Sequence, residues 1–306
     1  MGDEYRTTTV RGNIHKFVLA ERNRHRMFSL SDRSSRAIPT KRLIDEILGG
    51  TGLAMPVEFR RNIPGMAGGE PFTGEELLLA QQRFEDDARA ACVGARTAME
   101  ANEAKETVNR RLDPYSWTYT VMTATRDCWL NFAGLRLDKF AQPEIRVFAE
   151  SFWRAWNEST PKLLKPGQWH TPFVDGEDWI SIEEMASRPG EGYMPEHDTL
   201  NKAIKLSVGR CAHTSYVDFE TGNRMTVEKA IGLYDKLITF RPLHASPSEH
   251  QCTPDELANP IITYRAEPMW MHPKLHGNLP GWIQHRKQLP GERVAPLPEG
   301  YVYRAH

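Results

Sequence analysis

Thirteen consecutive positions, Arg24-His25-Arg26-Met27-Phe28-Ser29-Leu30-Ser31-Asp32-Arg33-Ser34-Ser35-Arg36, hold four arginines, one histidine and four serines. A guanidinium grips a phosphate through two parallel N–H donors, and serine hydroxyls with loop N–H groups complete an anion cradle. The stretch therefore has the chemistry to hold two anionic groups at once. By composition alone, a solvated basic loop or an RNA-binding patch fits the same residues. Taken singly, Arg110 and Arg136 read as surface ion pairs, Asn131 as a helix cap, and His244 and His250 as loop histidines whose spacing does not put two ligands on one helix face.

The elements that must position these groups are read from periodicity. Leu77, Phe84, Ala88, Ala91, Ala95 and Met99 recur at helical spacing and predict a helix from about Thr73 to Glu103, with Thr73 and Glu76 as a capping box. A second helix is expected over Gln142 to Glu158, with Ile145, Phe148, Phe152 and Trp156 on one stripe, and a third over Val227 to Phe240, ending before Pro242. Trp117 to Thr125 reads equally as a strand or a buried helix start. Gly49 to Gly74, Lys165 to Asp178 and Arg188 to Asp198 are expected as loops. No Gly-x-Gly-x-x-Gly or Walker loop occurs, so an irregular α+β domain is favoured over a Rossmann or P-loop fold.

Composition narrows the function classes. The 39 Lys and Arg balance 40 Asp and Glu, so no global basic field draws the chain onto nucleic acid or anionic lipid. Cys92, Cys128, Cys211 and Cys252 are scattered without Cys-x-x-Cys or zinc-finger spacing, so neither a disulfide framework nor a metal site is expected. Cys128 reads as a small buried hydrophobe rather than a nucleophile. No apolar run approaches the roughly 20 residues of a membrane span, and Met1 to Val10 lacks the apolar core of a signal peptide. The expectation is a soluble, cytoplasmic protein without a membrane partner or a stable nucleic-acid partner.

The order Arg-His-Arg, seven residues, then Ser34 resembles the signature of the flavin-dependent thymidylate synthases, the ThyX family. Asn109-Arg110-Arg111-Leu112-Asp113-Pro114 resembles that family's Arg-bearing turn, and Asn131 to Arg136, followed by Ala141 to Ile145, resembles its helix presenting a substrate-binding arginine. The family's usual N-terminal part has no counterpart before Arg24. It is found instead as Gly209-Arg210-Cys211-Ala212-His213-Thr214-Ser215-Tyr216, the helix from Val227, and His244-Ala245-Ser246-Pro247-Ser248-Glu249-His250. The chain thus reads as circularly permuted and similar to a phage-associated branch, for which a host cytoplasm is the expected location. One domain over 1–306 is expected: a motif loop and central helices in 1–165, a linker or insertion in 166–205, the displaced N-terminal segment in 206–252, and a tail in 253–306.

The resemblance implies a ThyX-like fold, a central antiparallel sheet flanked by helices, in a homo-oligomer expected to be a tetramer with its site shared between subunits. It implies FAD, 5,10-methylenetetrahydrofolate and NADPH as cofactors and a pyrimidine deoxynucleotide as substrate. Carried over residue by residue, Arg24, His25, Arg26, Ser215, Ser246 and Glu249 contact the flavin. Glu21, Asp32, Ser34, Ser35, Arg36, Arg110 and Arg136 line the nucleotide pocket, and Ser34, Asn131, Arg136 and His244 stand nearest the chemistry. Asp32 stands where the family often has Glu, Ser31 where Asn is common, and Ala37 where Tyr is common. Arg126 to Leu130 reads as extra length. These departures cluster at the base end of the pocket. The default reaction is dUMP to dTMP; hydroxymethylation of dCMP or dUMP for modified phage DNA is the alternative, and an RNA- or DNA-binding protein the outside one.

Overall fold

The computed structural model describes residues 5–50, 52–65, 68–186, 195–215, 225–240, 243–258, 269–293 and 299–301. Its centre is a three-stranded antiparallel sheet of β1 (Thr7–His15), β2 (Ser29–Asp32) and β3 (Trp117–Thr125), in the order β1-β3-β2. β-branched and aromatic residues fill β1 and β3, as a pleated, packed surface favours. Thr9 and Ser29 both pair with Thr123, which lines up three hydroxyl side chains across the sheet. Trp117–Thr125 is ambiguous in sequence because β3 is the central strand: from Thr120 onward every residue is buried, so no alternation survives to mark it.

Helices cover this sheet. Between β1 and β2 lies the short α1 (Leu19–Asn23), and after β3 come α5 (Arg126–Arg136) and α6 (Pro143–Glu158). Pro143 opens α6 at the first helical turn, where its missing N–H has no partner to lose. Trp129 and Phe132 of α5 meet Phe148 and Phe152 of α6 and Ile14 and Met122 of the sheet in one core, with Trp129 stacked on Phe152 at 3.9 Å between centroids. α6 lies so close to β1 that a Cβ at Gly12 would come within 2.8 Å of the Phe148 ring. The expected extra length at Arg126–Leu130 is the first part of α5.

A second core joins α2 (Thr40–Leu48), α3 (Gly74–Glu100) and α4 (Lys105–Arg110). Leu43, Ile44 and Ile47 pack on Ala88, Cys92 and Ala95, with Val108 and Leu112 closing the layer. α3 matches the expected helix, but the capping box does not form: Thr73 makes no side-chain cap bond and Glu76 turns to Arg61 at 2.5 Å. The stretch expected as a loop, Gly49–Gly74, holds no helix among its described residues until Gly74 opens α3.

The stretch expected as a linker carries two helices, α7 (Gly176–Ala186) and α8 (Pro195–Ala212), which pack with α9 (Val227–Thr239). Ile182, Leu206, Val227 and Ala230 form their shared core. Arg210 and Asp178, each 7% exposed, pair through two guanidinium nitrogens at 2.5 and 2.8 Å, and Arg210 also donates to the carbonyls of Phe173 and Met225. A Cβ at Gly209 would sit 2.2 Å from the Ala230 carbonyl, so this glycine sets the approach of α8 to α9. Residues 187–194, which take in most of the loop expected over Arg188 to Asp198, lie outside the described residues, and from Pro195 that stretch is the helix α8. The expected tail is tied down by β4 (Cys252–Pro254) pairing antiparallel with β5 (Trp282–Gln284), ahead of α10 (His285–Gln288). Buried Asp255 accepts from the rings of His272 and His276 at 2.9 and 2.8 Å. Among the described residues no helix is long and apolar enough to cross a membrane.

Candidate active site

The Arg24–Arg36 stretch leaves α1, turns, and passes through β2, where buried Ser29 and Ser31 alternate with half-buried Leu30 and Asp32, and the segments on either side of the strand carry the exposed groups. Phe28, Ser29, Ser31, Arg33 and Ile38 are buried, whereas Arg24, Arg26, Ser34 and Arg36 are exposed. The inward members hold the stretch in place. Phe28 packs edge-on to Trp129 at 4.6 Å, and Arg33 donates to Glu46 of α2 at 2.6 Å.

Three groups of polar residues gather around it. In the first, Arg136 at the end of α5 donates to the Glu21 carboxylate and to His25 Nε2, both at 2.9 Å, and to the Glu21 carbonyl at 3.2 Å. Burial, then the neighbouring Arg136 charge, lowers the His25 pKa to about 4, while Glu21 opposes the shift. His25 is therefore neutral, with its proton on Nδ1 and Nε2 accepting. Its ring lies 4.9 Å from Phe132 and is buried, so in this chain it supports Arg136 instead of facing outward beside Arg24 and Arg26. Arg24 reaches only 4.0 Å from Glu21, and neither Arg26 nor Arg110 has an acidic partner among the described residues.

In the second group, buried Asn109 donates to the carbonyls of Ser35 and Ile38 at 2.7 and 3.0 Å. That amide sets the Ser34–Arg36 turn beside the end of α4, where Arg110 is exposed and Glu106 pairs with Arg36 at 3.1 Å. The exposed Ser34 and Arg36 and the half-buried Ser35 are thus tied to the helix end that carries exposed Arg110. Sequence reasoning gave a role to Arg110 but none to Asn109, which the structure shows as a fully buried amide next to that exposed cation.

In the third, the 244–250 segment docks on β2. Ser29 Oγ donates to the Glu249 carbonyl at 3.1 Å, and Ser31 Oγ bonds to His250 Nε2 at 2.9 Å. His250 Nδ1 bonds to Thr123 at 2.8 Å, Thr123 to Thr9 at 2.6 Å, and Thr9 to His170 Nε2 at 2.8 Å. Burial lowers the His250 pKa to about 3, with His170 contributing, and the His170 pKa to about 4. His250, read from sequence as a loop histidine, is a completely buried link between the segment and the sheet. Burial pushes the Glu249 carboxyl up, opposed by its ion pair with Arg286. His244 and Ser246 are exposed on the same segment, with His244 against Phe240 at 5.2 Å. The side chain of Ser215 lies outside the described residues, and Asn131 is exposed on α5, more than one turn before Arg136.

Asp32 belongs between the first two groups. Its carboxylate is held at 2.6 Å through both oxygens by Arg22, a buried side chain of α1. Two cavities lie away from the motif. One of about 360 Å³ sits between β1 and α6, lined by Arg11, His15 and Phe148 among others. The other, about 550 Å³, is bounded by Thr7–Thr9, residues 159–164, Trp169 and His170. The motif's exposed groups face an open surface of the single chain.

No curated protein sequence matches the chain. Among solved structures it is similar to the UMP/dUMP methylase PolB from Streptomyces cacaoi bound with 5-Br dUMP, with a TM-score of 0.41 and 19% identity over 51% of this chain and 68% of that one. It is also similar to the flavin-dependent thymidylate synthase ThyX from Helicobacter pylori complexed with FAD and dUMP, with a TM-score of 0.33 and 19% identity over 49% of this chain and 66% of that one. The chain thus spans about two thirds of the length of each. The family model described as thymidylate synthase complementing protein matches residues 4–162, just over half of the 306 and the whole run from Arg24 to Arg136, and the chain belongs to that family of transferase enzymes.

Proposed function

We propose that this enzyme uses FAD, 5,10-methylenetetrahydrofolate and NADPH to transfer a one-carbon unit to C5 of a pyrimidine deoxynucleoside 5'-monophosphate, with dUMP to dTMP as the reaction. The observation that carries this reading is the sorting of the Arg24–Arg36 stretch: Arg24, Arg26, Ser34 and Arg36 are exposed, and the Ser34–Arg36 turn is tied to the end of α4, while Phe28, Ser29, Ser31 and Arg33 are buried. A merely basic surface loop has no need of that anchoring.

The residues fit a flavin dinucleotide. Arg24 and Arg26 present exposed guanidinium groups, Arg26 without an acidic partner among the described residues, as a diphosphate requires. They would hold it together with Ser246, Glu249 and Ser215, and the group would supply the hydride chemistry. On the nucleotide side, Arg36 and Arg110 hold the 5'-phosphate while Ser34 and Ser35 offer hydroxyls to the base or sugar. Arg136, fixed by Glu21 and His25, polarises the pyrimidine, so its charge needs no reorganisation as the ring becomes electron-rich. Asn131 and His244 border the folate. Their work is to orient C5 toward the carbon donor and to keep water out.

Water exclusion requires a roof, and the single chain leaves the motif open. Exposed Met27, Leu130, Leu135 and Phe140 flank it, apolar surface suited to a second copy of the chain, in keeping with a homo-oligomer whose site lies between subunits. The rearranged chain order is supported by the docking of residues 244–250 on β2 and by Trp282 Nε1 donating to the Tyr5 carbonyl just before β1, which set the late segment beside the early strand.

The test is incubation of the purified protein with dUMP or dCMP, methylenetetrahydrofolate, FAD and NADPH, followed by mass analysis of the nucleotide. A gain of one methyl on dUMP is the expected result. A hydroxymethyl product on dCMP would replace the proposed reaction with the alternative one. A colourless protein that takes up no FAD and binds RNA in a salt-sensitive way would overturn the enzyme reading.

A further inference from the structure

Arg22 has no part in the chemistry proposed above, yet it is built into the motif with unusual completeness. The side chain is 1% exposed, and all five of its N–H donors are engaged. One Nη donates to Asp32 Oδ1 at 2.6 Å and Thr120 Oγ1 at 2.7 Å, the other to Asp32 Oδ2 at 2.6 Å and Asn23 Oδ1 at 2.8 Å, and Nε to Asn23 at 3.1 Å. A buried guanidinium is tolerated only when paired and fully hydrogen-bonded, and the fork-to-carboxylate geometry fixes the plane of its partner as a lysine would not.

That partner is not itself buried. The Asp32 side chain is 30% exposed at the end of β2, two residues before Ser34. A carboxylate has about four acceptor sites. Arg22 occupies one on each oxygen, and the remainder face outward. An aspartate is one methylene shorter than glutamate, and the fork from α1 compensates by holding the shorter acid at the strand end in one orientation.

We infer that Arg22 is a positioning residue of the nucleotide pocket: it orients the Asp32 carboxylate so that its outward lone pairs accept a hydrogen bond from an N–H on the edge of the bound pyrimidine. This rests on the nucleotide reading of the site. Arg22 acts through Asp32 and touches no substrate atom. Uracil offers the ring N3–H and cytosine its amino group, so the shared chemistry is an N–H donor, and dUMP and dCMP are the two arms of the test.

The experiment compares the full-length wild-type protein with Arg22→Lys, Asp32→Asn, the double variant and Asn23→Ala. FAD content, thermal midpoint, and KM and kcat for each nucleotide are measured. In Arg22→Lys the charge stays but the fork is lost; with FAD content unchanged, KM for the accepted nucleotide is expected to rise roughly 10- to 100-fold while kcat changes by no more than about 3-fold. Asp32→Asn raises KM by a similar factor, and the double variant is no worse than the Asp32→Asn single, because Arg22 has nothing left to position. Asn23→Ala, at an exposed position, removes only the partner on the far edge of the fork and gives a smaller rise in the same direction, which keeps the test alive should Arg22→Lys fail to fold. A folded Arg22→Lys with unaltered KM, KM effects of Arg22→Lys and Asp32→Asn that multiply in the double variant, or an Asn23→Ala with unaltered KM would overturn the inference and leave the function standing. A wild-type protein that binds and converts neither nucleotide overturns both.

Discussion

Replacing His250 by glutamine is expected to make the protein less sensitive to acid. His250 is completely buried, bonded through one ring nitrogen to Ser31 and through the other to Thr123, and burial with the nearby His170 lowers its pKa from 6.5 to about 3. The unfolded chain takes up a proton at this imidazole below pH 6.5, whereas the folded chain does not until about pH 3. A group depressed in the native state contributes fully above pH 6.5, and that contribution is lost as pH falls toward 3. At pH 5 the unfolded imidazole is almost fully protonated and the native one almost fully neutral, so the slope approaches about 1.4 kcal/mol per pH unit. Integrated from pH 6 to pH 4, this one residue removes about 2.5 kcal/mol of stability, a substantial part of the 5–15 kcal/mol or so typical of a folded chain. Urea unfolding of wild type and His250→Gln at half-unit pH steps reads it directly. Glutamine keeps one polar arm and is expected to be less stable at pH 7 by about 1–3 kcal/mol for the lost hydrogen bond. The two proteins should then converge as pH is lowered, the gap closing by about 2.5 kcal/mol between pH 6 and 4. Parallel curves over that window would refute the reasoning and mean that His250 is protonated or exposed in the native state.

Four further outcomes are expected. Glu21→Gln removes the charge that fixes Arg136, so calorimetric titration with dUMP should show affinity weakened by roughly 10-fold or more, and unchanged affinity would exclude Arg136 from the pocket. Asp178→Leu strands the buried Arg210 and should lower stability by about 3–5 kcal/mol in urea, while the pair Asp178→Leu with Arg210→Met recovers most of the loss; equal loss in both would point to packing instead of charge. Trp129→Ala empties the centre of the α5–α6 core and should cost about 3–5 kcal/mol, read as a fall in thermal midpoint. Gly209→Ala drives a methyl into the Ala230 carbonyl and should lower the thermal midpoint by the equivalent of about 1–3 kcal/mol; an unchanged midpoint would mean that α8 and α9 do not pack this closely.

Much of this arrangement was legible in the chain. The stripes of α3, α6 and α9 were read to within a few residues because each helix presents one apolar face to one layer, which leaves a 3.6-residue period intact. β3 was ambiguous for the opposite reason, burial on both faces. The helices α7 and α8 escaped because the buried surface of α8 includes Ser207, Gly209 and Arg210, where charge and small size hide the stripe that an apolar residue would mark. At the site, the outward groups were readable from their order. The groups that hold them were not: Arg22, Asn109 and His250 matter through partners 10, 74 and 219 positions away, and no local pattern records a pairing of that kind.

Those separations also set a schedule. Ser31 meets His250 only after another 219 residues have been made, and Ser29 meets Gln284 only after another 255. At about 5–20 residues per second, a ribosome takes roughly ten to fifty seconds to supply them. Once β3 has been made, well before His250, β2 can pair its backbone with it, but its inward hydroxyls still face water. The motif is among the first parts of the protein to be translated, and its inner face is among the last to close. Nascent chains arrested before His250 emerges should leave β2 protease-sensitive even with the whole family-matched region outside the ribosome.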